Sequence, residues 1–329
     1  FADQLLNWHD AHGRHNLPWQ KTNDPYLIWV SEIMLQQTQV KTVISYYQNF
    51  MIHFPTVKAL AESDIDLVLS QWSGLGYYSR ARDLHRSAGL IMQLHQGELP
   101  RSYEALLNLP GIGSSTACAI LSQAYELPFA ILDGNVKRLL SRYFAFTECV
   151  DTQKGKQALE KIATKLMPPI RCRQYTQAIM DMGALICLKQ PKCEQCPLAT
   201  SCLAKQNNQI SELPVRMTKK KPTEQKLSLH VYRNRLGEYA LEKRGPGIWH
   251  GLYCFPELTS TQQNQPALSQ SHTLTHRQLK IKYHIQDSPP RHFDKWFKAS
   301  DLLASGIPQA IRKMLPAIES TIIENKELI

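Results

Sequence analysis

Apolar positions recur through residues 1–205 at the three-to-four spacing of amphipathic helices. The pattern predicts helices over 25–51, 56–71, 79–95, 102–107, 114–125, 134–143, 153–167 and 172–187, with Pro55 interrupting the first pair. Gly74-Leu75-Gly76, Gly97, Pro110-Gly111, Pro128, Asp133-Gly134 and Pro168-Pro169 supply the remaining punctuation. Residues 206–226 lose any period, carry two prolines and a run of Lys219-Lys220-Lys221, and read as a linker. The lysines are either a solvated tether or a phosphate contact. Beyond the linker the pattern turns strand-like. LSLHVYRN alternates, a glycine turn leads to EYALEKR as a hairpin, GIWHGLYCFPEL and LKIKYHI add strands, and 308–323 is helical. The chain thus divides into a mostly α domain (1–205), a linker (206–226) and a small α+β domain (227–329).

Composition narrows the class. With 43% hydrophobic and 20% charged residues in 329, wholesale disorder is excluded. No apolar run approaches the ~20 residues of a bilayer-spanning helix, so no membrane association is expected. The opening residues lack the features of a secretory signal. The chain begins at Phe1 rather than Met, so a short preceding segment is expected. The formal net charge is +10, and its excess lies beyond residue 205. That balance suits a polyanion partner without singling one out.

Four segments can carry chemistry. In VSEIMLQQTQV, Glu32 lies within an apolar helix and shares a face with Ile28 and Leu35. Desolvation there raises a carboxyl pKa and suits it to holding a proton; a partly exposed Glu on an imperfect face is the plainer alternative. Gln36, Gln37, Thr38 and Gln39 follow as a polar cluster, able to meet base edges or water. In NLPGIGSSTACAIL a Pro-Gly-x-Gly turn opens directly into a helix. Glycines permit close approach of the backbone, and a helix N-terminus offers free N–H groups to an anion. With the helix at 102–107 this makes a helix–hairpin–helix. In FAILDGNVKRLLSR, Asp133 opens a helix, as an N-cap, as a catalytic carboxylate facing developing positive charge, or as both. Asn135, Lys137 and Arg138 follow it. Finally, CLKQPKCEQCPLATSC holds Cys187, Cys193, Cys196 and Cys202 at gaps of five, two and five residues. A chain of this size without a signal argues against a disulfide framework, and four clustered thiols argue for zinc or an iron–sulfur cluster.

SEIMLQQTQV, GLGYYSRARDLH, LPGIGSSTACAI, ILDGNVKR and the late cysteine loop stand in the order they have in the MutY-like adenine DNA glycosylases. The resemblance covers residues 1–205 closely and GIWHGLYCFPEL more loosely. It implies a helix–hairpin–helix base-excision glycosylase domain with a 4Fe–4S cluster, joined to a MutT-like (Nudix-fold) lesion-recognition domain. It implies duplex DNA with adenine opposite 8-oxoguanine or guanine as partner, and a flipped-out adenine as substrate. By that resemblance Glu32 protonates the departing adenine at N7, Asp133 stabilises the oxocarbenium-like sugar, and Asn135 positions it. Trp19, Leu35 and Leu75 line the adenine pocket, while Gln37 and Tyr77 wedge into the duplex. Gly111, Gly113, Ser114, Ser115 and Lys137 meet DNA phosphate, with a monovalent cation on the hairpin carbonyls. The four cysteines hold the cluster. A monomer in the cytoplasm, associated with the nucleoid, is expected.

Ser115 stands where the related glycosylase/lyases carry the Schiff-base lysine, so a monofunctional enzyme is expected. Three features depart from the family. The first cysteine gap is five residues where six is usual. The recognition loop reads Leu274-Thr275-His276 rather than Phe-Ser-His, leaving Thr275 and His276 as candidate 8-oxoguanine contacts. The glutamate-rich Nudix motif that binds Mg²⁺ is not found. Two other functions compete: a thymine-mismatch or pyrimidine-lesion glycosylase on the same fold, and a non-catalytic lesion binder.

Overall fold

The computed structural model describes residues 1–218, 221–257, 267–274, 276–286, 293 and 295–327. In chain order the first helices are α1 (Ala2–His12), α2 (Pro25–Leu35), α3 (Val40–His53), α4 (Val57–Ala61), α5 (Ile65–Gln71) and α6 (Ser79–Leu94). Then come α7 (Tyr103–Leu107), α8 (Ser114–Tyr125), α9 (Gly134–Tyr143), α10 (Gln153–Leu166), α11 (Cys172–Asp181) and α12 (Leu203–Gln206). The chain separates into two units, Phe1–Glu62 with Asp83–Thr218, and Ser63–Arg82 with Lys219–Ile329.

In the first unit, α2 is the central helix. Asp24 caps it by accepting the Tyr26 amide at 2.8 Å, and Pro25 sits in its first turn, where a missing N–H costs nothing. Tyr26, Ile28, Trp29, Val30, Ser31, Ile33 and Met34 are all buried, so the helix is enclosed on nearly every side. The expected single helix over 25–51 is two. Gln36 leaves helical geometry with ψ 112°, Gln37 takes φ +57°, and α3 restarts at Val40. The apolar period runs on across this break, which contains neither Gly nor Pro, so periodicity alone does not mark it. The expected helix over 56–71 also divides where the first unit gives way to the second: Asp64 of the second unit caps a new start by accepting the Asp66 amide at 2.6 Å. A second core joins α1, α9, α10 and α11 through Leu5, Trp8, Leu139, Leu140, Leu159, Tyr175, Ile179 and Met182. At its end α11 widens into a π-helical turn, Met182–Ile186, that delivers Cys187. Among the described residues no helix is long and apolar enough to cross a membrane.

The second unit holds β1 (Thr223–Tyr232), β2 (Tyr239–Ala240), β3 (Glu242–Lys243), β4 (Tyr253–Cys254), β5 (Ala267–Thr273), β6 (Arg277–Gln286) and β7 (Trp296–Phe297), then α13 (Ala299–Ala304) and α14 (Gln309–Glu327). The main sheet has the order β1-β6-β5, with β1 parallel and β5 antiparallel to β6. Leu227, Leu229 and Val231 of β1 and Leu279, Ile281 and Tyr283 of β6 join Ile311, Leu315, Ile318 and Ile322 of α14 in one core. The expected hairpin closes only as a single bridge, Arg233 to Tyr239. The EYALEKR segment pairs instead with β7 and β4. Alternation identified the strands but could not choose their partners, which the shared face under α14 decides.

Candidate active site

Helices α2 and α8 pack against each other, and two polar contacts cross their seam. Near the end of α2, Gln36 Nε2 donates to Gly111 O and to Thr116 Oγ1, each at 3.3 Å. One turn earlier, Glu32 Oε1 accepts from Gln123 Nε2 of α8 at 2.8 Å. Thr116 and Gln123 are seven residues apart and so share a face of α8, as Glu32 and Gln36 do on α2. Glu32 keeps a partly open surface between buried Ser31 and Ile33. Burial pushes its carboxyl up to about 7, against the Gln123 hydrogen bond, and the charge of Asp133 pushes in the same direction. At neutral pH the group is poised between acid and base.

Asp133 is the N-cap of α9. Its Oδ1 accepts the amides of Asn135 at 3.0 Å and Val136 at 2.7 Å, while Asn135 Nδ2 lies 3.4 Å from Oδ2. Burial raises this carboxyl too; the two amides, the Arg138 charge and the Asn135 side chain pull it back toward the ionised form. The cap occupies one oxygen and leaves the other largely to the site.

The hairpin between α7 and α8 is built as its glycines suggest. Gly111 has φ +77°, and a Cβ there would lie 2.9 Å from that of Asp83. Gly113 is the N-cap of α8, and Tyr103 donates to Ser114 Oγ at 2.9 Å. Ser115 is half-buried beside it. The carbonyls of Leu109, Pro110 and Gly111 already accept from Ile112 N, Ser87 Oγ and Gln36 Nε2. Each carbonyl has a second lone pair to offer a cation or a donor. Lys137 points its ammonium at Val150 O, 3.4 Å away.

Trp19 is buried in the turn Pro18–Lys21, edge-on to Tyr47; Leu35 is half-buried, and Gln37 is exposed. Leu75, Tyr77 and His276 belong to the second unit. There Leu75 is buried, and Tyr77 is 41% exposed with φ +50° and Arg80 lying 5.4 Å from its ring centroid. The exposed His276 accepts the Thr223 amide on its carbonyl. Thr275, Lys219 and Lys220 lie outside the described residues.

Cys187, Cys193, Cys196 and Cys202 line one cavity, together with Leu139, Ile186, Leu198 and Arg142. All four are free thiols. Among the described residues no group of three His, Cys, Asp or Glu side chains is drawn together tightly enough to hold a metal ion. The four cysteines are nevertheless the soft ligands of the cavity wall, which also holds Arg142, Lys205 and Tyr143. Arg142 Nη1 lies 3.6 Å from Cys187 Sγ. Burial raises Cys187, opposed by Arg142, and raises Cys196 to about 11, with the other three cysteines adding to it. Four thiols around a shared space, whose thiolate forms would repel one another, fit an electron-poor centre that would neutralise them.

Arg142 and Gln123 escaped the sequence reading, which named Arg138 only among the residues that follow Asp133. Buried Arg142 donates to the carbonyls of Ile210, Leu213, Leu188 and Lys189, so it fastens the cysteine loop from below. Arg138 faces inward as well, to Cys187 O at 2.7 Å, Gly183 O at 2.7 Å and Asn135 Oδ1 at 3.0 Å. Gly183 permits this approach, since a Cβ there would meet the Asn135 Cβ at 2.7 Å. Gln123 had only the faint signal of one amide in an otherwise small and apolar helix.

A family model described as "HhH-GPD superfamily base excision DNA repair protein" matches residues 30–169, and one described as "NUDIX domain" matches residues 228–317. The chain is 37% identical to the adenine DNA glycosylase of Buchnera aphidicola subsp. Baizongia pistaciae over 344 residues, 97% of each chain. It is 40% identical to the adenine DNA glycosylase of Homo sapiens over 223 residues, 65% of this chain and 41% of the human one. Among solved structures it is similar to a thermostable thymine-DNA glycosylase, with a TM-score of 0.58 and 28% identity, over 63% of this chain and 95% of that one.

Proposed function

This chain belongs to the adenine DNA glycosylase family of base-excision repair enzymes, and from that premise we infer that it removes adenine standing opposite 8-oxoguanine or guanine. The observation that carries the chemistry is the Glu32 carboxyl, pushed up to about 7 within electrostatic reach of Asp133. Adenine leaves poorly as an anion. The Glu32 proton passes to N7 of the flipped base, the N9–C1′ bond breaks with its electron pair going to the purine, and neutral adenine departs. The Asp133 carboxylate faces the cationic sugar that remains, its ionised form favoured by the amides of Asn135 and Val136 against the upward push of burial. Water adds to C1′ and returns a proton to Glu32, leaving an abasic site.

Ser115 brings a hydroxyl and no amine to the hairpin, and the Lys137 amine is directed at Val150 O. Both support hydrolysis without strand cleavage. Amides at the start of α8, with Ser114, serve to hold phosphate. Trp19, Leu35 and Leu75 are assigned to the adenine pocket, Gln37 and Tyr77 to the opened stack, and Thr275 and His276 to the oxidised base. When bound, a 4Fe–4S cluster on the four cysteines would tie the loop 187–202 into one piece through iron–thiolate bonds. Arg142 and Arg138 hold that loop against α9, whose first turn carries Asp133.

Single-turnover release of free adenine from a duplex with one A:8-oxoguanine pair tests the reading, with A:G and T:G duplexes and Glu32→Gln protein alongside. Adenine release, abolished by the substitution and without strand breaks until alkali is added, is expected. Thymine release would overturn the substrate, and binding without release would favour a lesion binder.

A further inference from the structure

The mechanism needs a proton on Glu32 but does not say which oxygen carries it, or what sets the carboxyl's orientation. The α2–α8 seam answers both. Gln123 is buried at 5% exposure, so its amide has little water to turn to, and its Nε2 is committed to Oε1 of Glu32 at 2.8 Å. A donor on Oε1 favours the carbonyl form of that oxygen, the better acceptor, over the hydroxyl form. The proton is thereby directed to Oε2, the oxygen that Gln123 leaves free. The contact is also braced. Gln36, one turn along the same face of α2, is bonded to Thr116 and Gly111, so the two helices are pinned at two points rather than one. On the proposed reading, helix α8 offers its first turn to phosphate and, about 12 Å further along at 1.5 Å per residue, holds the acid.

Resting on the reading of Glu32 as the acid, we propose that Gln123 is a positioning residue of the glycosylase reaction: its amide N–H holds Oε1 of Glu32 and makes Oε2 the proton-bearing oxygen presented to the base. An amide donor also favours the ionised carboxyl, so Gln123 limits how far burial raises it.

The test is the pH dependence of single-turnover adenine release by full-length Gln123→Met protein, which keeps the volume and removes the donor. The rate depends on protonated Glu32 and falls above its pKa. Losing the donor moves that alkaline limb to higher pH, by ~0.5 unit or more. Loss of orientation lowers the plateau by about threefold to tenfold. Affinity for duplex carrying a non-hydrolysable adenosine analogue stays unchanged. Gln123→Glu covers the case in which Met disturbs the fold: a second carboxyl beside Glu32 moves the limb up further. A limb that stays in place, whatever the plateau does, overturns the proposal and leaves Gln123 a packing role. A limb that moves down overturns it too, because the amide would then be accepting from a protonated Glu32. Glu32→Gln run in parallel keeps the two readings apart. If that variant stays active, the acid assignment itself fails; if it is dead while Gln123→Met keeps the wild-type limb, only the positioning role falls.

Discussion

Replacing Glu32 by glutamine separates what the carboxyl does for catalysis from what it costs the fold. In the unfolded chain the group titrates near its ordinary value of 4.5, whereas in the folded protein burial pushes it up to about 7. Below about pH 4.5 both states hold the proton, and the native state bears no penalty. Between these values the unfolded chain releases its proton first, so native stability falls as pH rises, and above about 7 the loss is complete. A displacement of about 2.5 units at 1.36 kcal/mol each amounts to about 3 kcal/mol at pH 8. That figure is a ceiling, since the side chain keeps a partly open surface. Glutamine does not titrate, and its carbonyl accepts the same Gln123 N–H. The variant is therefore expected to equal wild type near pH 4.5 and to exceed it by up to about 3 kcal/mol at pH 8. For a unit of this size that is on the order of 6–10 °C in the midpoint. Urea unfolding of both proteins, followed at several pH values from 5 to 8, measures the difference directly. A gap that does not widen with pH, or a variant less stable at pH 8, refutes the premise that Glu32 is desolvated, and with it the supply of a proton at neutral pH.

Two further substitutions probe the neighbours of this group. Asp133→Asn keeps a good N-cap and removes the charge, so stability should change by less than about 0.5 kcal/mol while adenine release falls by about a thousandfold. Asp133→Ala should lose the same activity and about 1 kcal/mol more stability; an active Asn variant would assign Asp133 to capping alone. Arg142→Met should strand the carbonyl of buried Leu213 and weaken the hold on those of Ile210, Leu188 and exposed Lys189, costing about 2–3 kcal/mol and the visible absorption of a bound iron–sulfur cluster. Unchanged absorption and melting would show that the cysteine loop does not depend on this clamp.

What could be read without coordinates follows from how local the physics is. The α8 turn was legible because only glycine suits φ +77° against Asp83, and a helix must begin where such a turn ends. Asp133 was legible as both cap and candidate catalytic carboxylate because the two roles can share one residue at one place, and its Oδ1 does serve the cap. The cysteine loop announced through spacing alone that its four thiols face one another, and they line one cavity. Nothing local, by contrast, links Glu32 to Gln123, which stand 91 residues apart. Nor does a helical pattern reveal which arginines turn inward: Arg138 and Arg142 lie on the side of α9 against which residues 183–213 fold, and unpaired carbonyls there select them. The break after α2 was hidden for a related reason. Gln37 takes a left-handed conformation that no residue type in the segment requires. It is tolerated where Gln36 finds acceptors on the hairpin, so the packing of α2 on α8 both ends the helix and orients its last carboxylate. The polar cluster after Leu35 read as able to meet base edges or water. Its first member, Gln36, nevertheless spends its side chain on the hairpin carbonyl of Gly111 and the hydroxyl of Thr116 rather than on a base, and the acid one turn earlier inherits its geometry from that anchorage.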